Sequence, residues 1–152
     1  GMTLLDAKLR DATPSAAAPD GTLISGPNDG RPGDTPVGLT ELIANASAEY
    51  DFAVANSNAF VRLDYSYNGS YHTAYAPTNP LFRRVDGYSV LSGRIGFNVA
   101  GWAASVYVDN IFDEQGPVFI GPRPSIAGST ARPDLWMGLR PRVIGVNVGK
   151  DF

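Results

Sequence analysis

The chain has 152 residues with a formal net charge of −3, 43% hydrophobic and 18% charged residues, no Cys and one His. This excludes a disulfide framework, a thiolate metal site and a cysteine nucleophile, and it limits any Ser-His-Asp triad to His72. No basic block suggests nucleic acid as a partner, and no apolar run is long enough for a transmembrane helix. The 17 Gly and 12 Pro residues make up roughly a fifth of the chain, well above the usual share of about 12%. Gly1 ahead of Met2 reads as an expression scar, and no signal peptide is visible.

The prolines mark out the elements. Proline has no backbone N–H to give a strand ladder, so it collects in loops. Three loops follow from its positions, at 13–40, 70–86 and 113–141. The segments outside these loops alternate apolar and polar residues. In 3–11, Thr3, Leu5, Ala7 and Leu9 oppose Leu4, Asp6, Lys8 and Arg10. In 43–53, the series Ala44 to Phe52 opposes Asn45, Ser47, Glu49 and Asp51. In 58–68, Val61, Leu63, Tyr65 and Tyr67 oppose Arg62, Asp64, Ser66 and Asn68. In 88–99, Leu91, Ile95, Phe97 and Val99 oppose Ser92, Arg94 and Asn98. In 102–111, Trp102, Ala104, Val106 and Val108 oppose Ala103, Ser105, Tyr107 and Asp109. In 142–152, Ile144, Val146, Val148 and Phe152 oppose Asn147, Gly149 and Asp151. This period of two predicts six long antiparallel strands and an all-β, up-and-down meander.

Short connections at Ala53–Ser57 and Ala100-Gly101 alternate with the long loops. Strands of about ten residues with short turns at one end and long loops at the other suit a membrane β-barrel. Charges at Asp6, Lys8, Glu49, Arg62, Asp64 and Arg94 would then line a wet interior. Tyr50, Phe52, Tyr65, Tyr67, Phe97, Trp102 and Phe152 would form interfacial girdles. The same alternation also fits a small soluble barrel holding an apolar ligand, as lipocalins do. In that case Val61, Leu63, Ile95, Phe97, Val106 and Val146 form a core, and Arg62 and Arg94 point outward.

Three stretches resemble the C-terminal end of TonB-dependent outer-membrane receptors. They are Tyr88–Phe97, Trp102–Asp113 with its Asn110-Ile111-Phe112-Asp113 motif, and Arg140–Phe152 with Pro141-Arg142 before a last strand ending in Phe. The start is also similar, through Asp6-Ala7-Lys8-Leu9 and Asn45–Phe52, so the resemblance spans nearly all of 1–152 as one unit. Lys150 departs from it, standing where the family has an aromatic residue.

The resemblance implies a receptor of the Gram-negative outer membrane whose barrel of about 22 strands is plugged by a separate domain. Such a receptor takes up siderophores, vitamins or glycans. This chain would supply the C-terminal barrel portion, without a plug and unable to carry out active transport alone. Its expected partners are the rest of the barrel and plug, outer-membrane lipid, and, for the isolated chain, a second copy joined edge to edge. A membrane barrel needs at least eight strands. Six strands therefore imply closure by extra strands drawn from the loops, or edge pairing with another copy. A remnant of a disrupted receptor gene is a further reading.

No residue is assigned a catalytic, cofactor-binding or metal-binding role, and the chain is not expected to be an enzyme. His72 reads as a solvated loop residue rather than a ligand contact. Asp109, Asn110, Asp113 and Glu114, and likewise Asp29 and Asp34, read as turn caps rather than calcium ligands. The pairs Asp64/Glu49 and Asp6/Asp51 read as interior charge rather than as glycosidase carboxylates. The Asn45 and Asn68 sequons read as chance matches, and the glycine-rich loops lack a phosphate-cradle context. Arg31, Arg83, Arg84, Arg123 and Arg132 lie in loops, where they would suit an anionic ligand.

Overall fold

A computed structural model describes residues 1–14, 16–55, 57–121 and 134–150. The described residues are all-β and contain no helix. The main sheet has six strands: β1 (Met2–Leu4), β4 (Leu42–Val54), β5 (Ser57–Asn68), β8 (Tyr88–Val99), β9 (Trp102–Asp109) and β12 (Val143–Lys150). Their spatial order is their chain order, and every neighbouring pair is antiparallel. This is the meander that the alternation predicts.

Two tight turns join strands at one end of the sheet. Between β8 and β9, Ala100 and Gly101 both have positive φ, 50° and 77°. That is the two-residue turn whose twist matches the flanking strands. Ala55, between β4 and β5, has φ 53°. The other end carries the long connections, which contain small sheets of their own. β2 (Ala16–Ala17) pairs with β3 (Leu23–Ile24), β6 (Tyr71–His72) with β7 (Arg84–Val85), and β10 (Pro117–Gly121) with β11 (Leu135–Gly138).

The first strand is much shorter than its pattern predicts. Only Met2–Leu4 pairs with β4, and the following residues turn to the 30–41 segment instead. Leu9 N–H donates to the Asp34 carbonyl, Gly33 N–H to the Leu9 carbonyl and Thr13 N–H to the Gly30 carbonyl. Asp6 and Lys8 therefore lie outside the sheet, Lys8 between Thr35 and Glu41. Alternation reports that a segment has two faces, but not which neighbour takes its backbone bonds. The last two predicted strands end at Asp109 and begin at Val143, and residues 151–152, with Phe152 of the girdle, lie outside the described residues.

The loop strands do not close the sheet. Among the described residues β1 and β12 are its edges, and β2, β3, β6, β7, β10 and β11 pair only within the loops. The loops are stitched to one another. Arg83 makes a two-pronged ion pair with Asp134 at 2.5 and 3.2 Å, and Tyr71 Oη–H donates to the Val118 carbonyl.

Among the described residues no second layer covers the sheet. The chain exposes 10654 Å² of surface. A compact monomer of 16.1 kDa would expose about 7,400 Å². Among the described residues, the buried apolar side chains are Ala59, Ala74 and Val85 alone.

Candidate functional site

The sheet offers two contrasting faces, and the strand register fixes what each carries. Tyr50, Val61, Ile95, Val106 and Val146 stand directly opposite one another across five strands. A second row runs Phe52, Ala59, Phe97, Ala104 and Val148. The side chains proposed as a soluble core are open to their surroundings, from 37% exposed at Val61 to 65% at Val146. They form no packed interior. Aromatic side chains lie toward both ends of this face, while Tyr50, also expected in a girdle, stands in the first row opposite Val61. Phe52, Phe97 and Trp102 lie toward the turns, and Tyr65 and Tyr67 toward the loops. From Ala59, level with Phe52 and Phe97, to Tyr67 the strand rises about 27 Å.

The opposite face carries the charge. Glu49, Arg62, Arg94, Tyr107 and Gly145 form one row in register. Two arginines directly opposite repel one another, and the surrounding side chains offset this. Arg62 donates from Nε and Nη2 to the Asp64 carboxylate at 2.8–3.1 Å and lies 3.6 Å from Glu49. Arg94 lies over the Tyr107 ring, 5.7 Å from its centroid. The Tyr107 ring in turn lies across Gly145, where a Cβ would overlap it, and Phe60 lies across Gly96 in the same manner. Glycine at these positions lets a ring from the neighbouring strand lie flat on the sheet. Above the row is an open concavity of about 380 Å³, lined by Glu49, Phe60, Arg62, Asp64, Arg94 and Tyr107. Glu49 and Asp64 both engage Arg62.

The Asp109–Glu114 segment locks the loop end. Asn110 is 4% exposed with φ 53°. Its Nδ2 donates to the carbonyls of Glu114 and Arg140, and its Oδ1 accepts from Glu114 N–H. Asp113 Oδ1 accepts from Arg142 N–H at 2.9 Å, which fixes the start of β12. Asn110 and Asp113 thus act as turn caps, whereas Asp109 lines the concavity on the charged face. Asp29 and Asp34 likewise accept from Gly26 N–H and Arg31 N–H. Among the described residues no acidic or histidine cluster could hold a metal ion. His72 stacks on Phe82 at 6.0 Å and borders a small cleft with Glu41 and Arg84. Of the loop arginines, Arg83 is paired with Asp134 and Arg84 with Asp86, while Arg123 and Arg132 lie outside the described residues.

The N–H bond from Arg142, with smaller help from Gln115 and the Arg142 charge, lowers the Asp113 carboxyl below its ordinary value. A carboxyl depressed on folding adds stability above its unfolded pKa, and that stability is lost as pH falls through the folded value. Asp113→Asn is therefore expected to flatten the acid limb of the stability curve below about pH 4. Denaturant titrations of both proteins from neutral pH into this range check it, since equal slopes would contradict it.

Comparison with protein-family models, curated proteins and solved structures finds no match.

Proposed function

We propose that the chain is part of the wall of an outer-membrane receptor barrel of the TonB-dependent type. The apolar face meets lipid, the charged face lines a wet interior, and the stitched loops form the outer, ligand-greeting end. The observation that carries this reading is the exposed apolar face, spread over five strands and opposed by the Glu49–Arg62–Arg94 row. Water strongly disfavours so large an apolar surface on a monomer, whereas lipid is its natural solvent. The two open edges accept the neighbouring strands of a larger barrel, because only a closed barrel satisfies every backbone group in a bilayer. The role is ligand recognition and passage within the parent receptor, with no catalytic step.

The test is insertion. The full chain with Trp136→Phe, leaving Trp102 as its sole tryptophan, is diluted from urea into buffer or onto phosphatidylcholine vesicles. The expected result is β-sheet circular dichroism with the vesicles, and quenching of Trp102 by lipids brominated near the headgroup more than by lipids brominated at the chain end. A soluble, folded monomer in buffer that ignores the vesicles overturns the reading.

A further inference from the structure

The outer edge of β12 is a long row of backbone donors and acceptors without a partner strand among the described residues. Edge strands are usually shielded by proline, a bulge or a charge near the middle. β12 has no proline, pairs with β9 without a register shift over all eight residues, and carries its charge only at Lys150. Lys150 is drawn back over the Trp102 ring, 5.2 Å from its centroid. β4 differs: β1 already covers the loop end of its outer edge, at Leu42–Ala44.

The sequence of this edge reads the same in both directions about Asn147, as Gly145-Val146-Asn147-Val148-Gly149. An antiparallel pair of identical strands related by a twofold axis brings each residue opposite its mirror position. A palindromic edge then offers matched partners at every step. We propose that β12 is a self-association edge, pairing antiparallel with β12 of a second copy in a register centred on Asn147.

In that register Asn147 faces Asn147, Val146 faces Val148, Gly145 faces Gly149 and Ile144 faces Lys150. The twofold axis stands perpendicular to the sheet, so both apolar faces stay on one side. Ile144, Val146 and Val148 continue the apolar rows into the partner, while Asn147 meets its twin on the charged face and can exchange amide hydrogen bonds with it. The loop clusters fall at opposite ends of the joined sheet. The pairing therefore belongs to the chain outside a bilayer of uniform orientation, where an open edge most needs a strand. It goes beyond the receptor reading, and within a larger barrel a neighbouring strand takes the same edge.

The chain has no cysteine, so single-cysteine variants report pairing without background. Each variant of the full chain is refolded in detergent micelles and oxidised mildly. Asn147→Cys is expected to cross-link into a dimer several-fold more than Ser47→Cys on β4. Val146→Cys mixed with Val148→Cys is expected to cross-link well, and either alone poorly, because directly opposed Cβ atoms lie within disulfide reach and diagonal ones do not. Without cross-linking, light scattering is expected to find a dimer that Asn147→Lys weakens at least tenfold by opposing two like charges, with unchanged circular dichroism. A monomer by light scattering overturns the proposal, as does equal cross-linking of the Asn147 and Ser47 variants or of Val146→Cys alone and the mixture. If Asn147→Lys loses its sheet signal, the cross-linking comparison decides. Trp102 quenching in vesicles is read separately, so failure of the dimer and failure of the receptor reading are distinguishable.

Discussion

Replacing Ile95 by arginine is expected to weaken folding of this chain into a bilayer by about 2–4 kcal/mol, the cost of a guanidinium on the lipid face near the midplane. Ile95 stands in the middle row of the apolar face, between Val61 and Val106, and is 53% exposed. In a protein whose apolar face met water, a substitution at so open a site would change stability by no more than about 0.5 kcal/mol. The same residue thus gives answers several-fold apart under the two solvents. Asn98→Arg is the control, because Asn98 is an exposed residue on the charged face of the same strand. It is expected to stay within about 0.5 kcal/mol of the parent chain. The measurement is reversible urea unfolding in phosphatidylcholine vesicles. If Ile95→Arg and Asn98→Arg behave alike, the apolar face is not in lipid.

The strands were legible because a period of two is a local signal. Register then adds what periodicity omits, namely which residues meet. Arg62 opposite Arg94 could not be foreseen from either strand alone, nor could Tyr107 lying across Gly145. The 3–11 segment marks the limit of pattern reading. Its alternation is as regular as that of β5, yet past Leu4 its backbone bonds go to residues 30–41. The loops hid the most. β10 and β11 are short and lie among Pro and Gly residues that signal a turn. The Arg83–Asp134 pair joins residues 51 apart, which no local pattern encodes. The turn-capping role of Asn110 and Asp113 was legible because Asn and Asp tolerate positive φ and bond nearby backbone groups. The reach of Asn110 to Arg140, thirty residues on, was not.

That reach makes Asn110 a sensitive position outside the strands. Its side chain satisfies three backbone groups at once: the Glu114 N–H, the Glu114 carbonyl and the Arg140 carbonyl. Alanine would leave all three without that partner in a site almost closed to water, and each orphaned group costs about 1–3 kcal/mol. Alanine also tolerates φ 53° less well than asparagine does. Asn110→Ala is therefore expected to cost about 3 kcal/mol or more, read from the urea midpoint at constant slope. Asn110→Asp separates the contributions. It keeps the acceptor for Glu114 N–H and the tolerance for positive φ, but places a carboxylate against two carbonyls in place of the amide donor. If donation to the carbonyls dominates, the aspartate variant is as damaging as alanine. If backbone conformation dominates, it falls close to the parent. The loss also has a direction in space. The Arg140 carbonyl is held two residues ahead of Arg142, whose own N–H is held by Asp113, so Asn110 and Asp113 together aim the chain into β12. Hydrogen exchange in Asn110→Ala should accordingly rise first along Val143–Lys150, the strand at the open edge, while β4 and β5 keep their protection. Uniform loss of protection across all strands would instead place Asn110 in the support of the whole sheet.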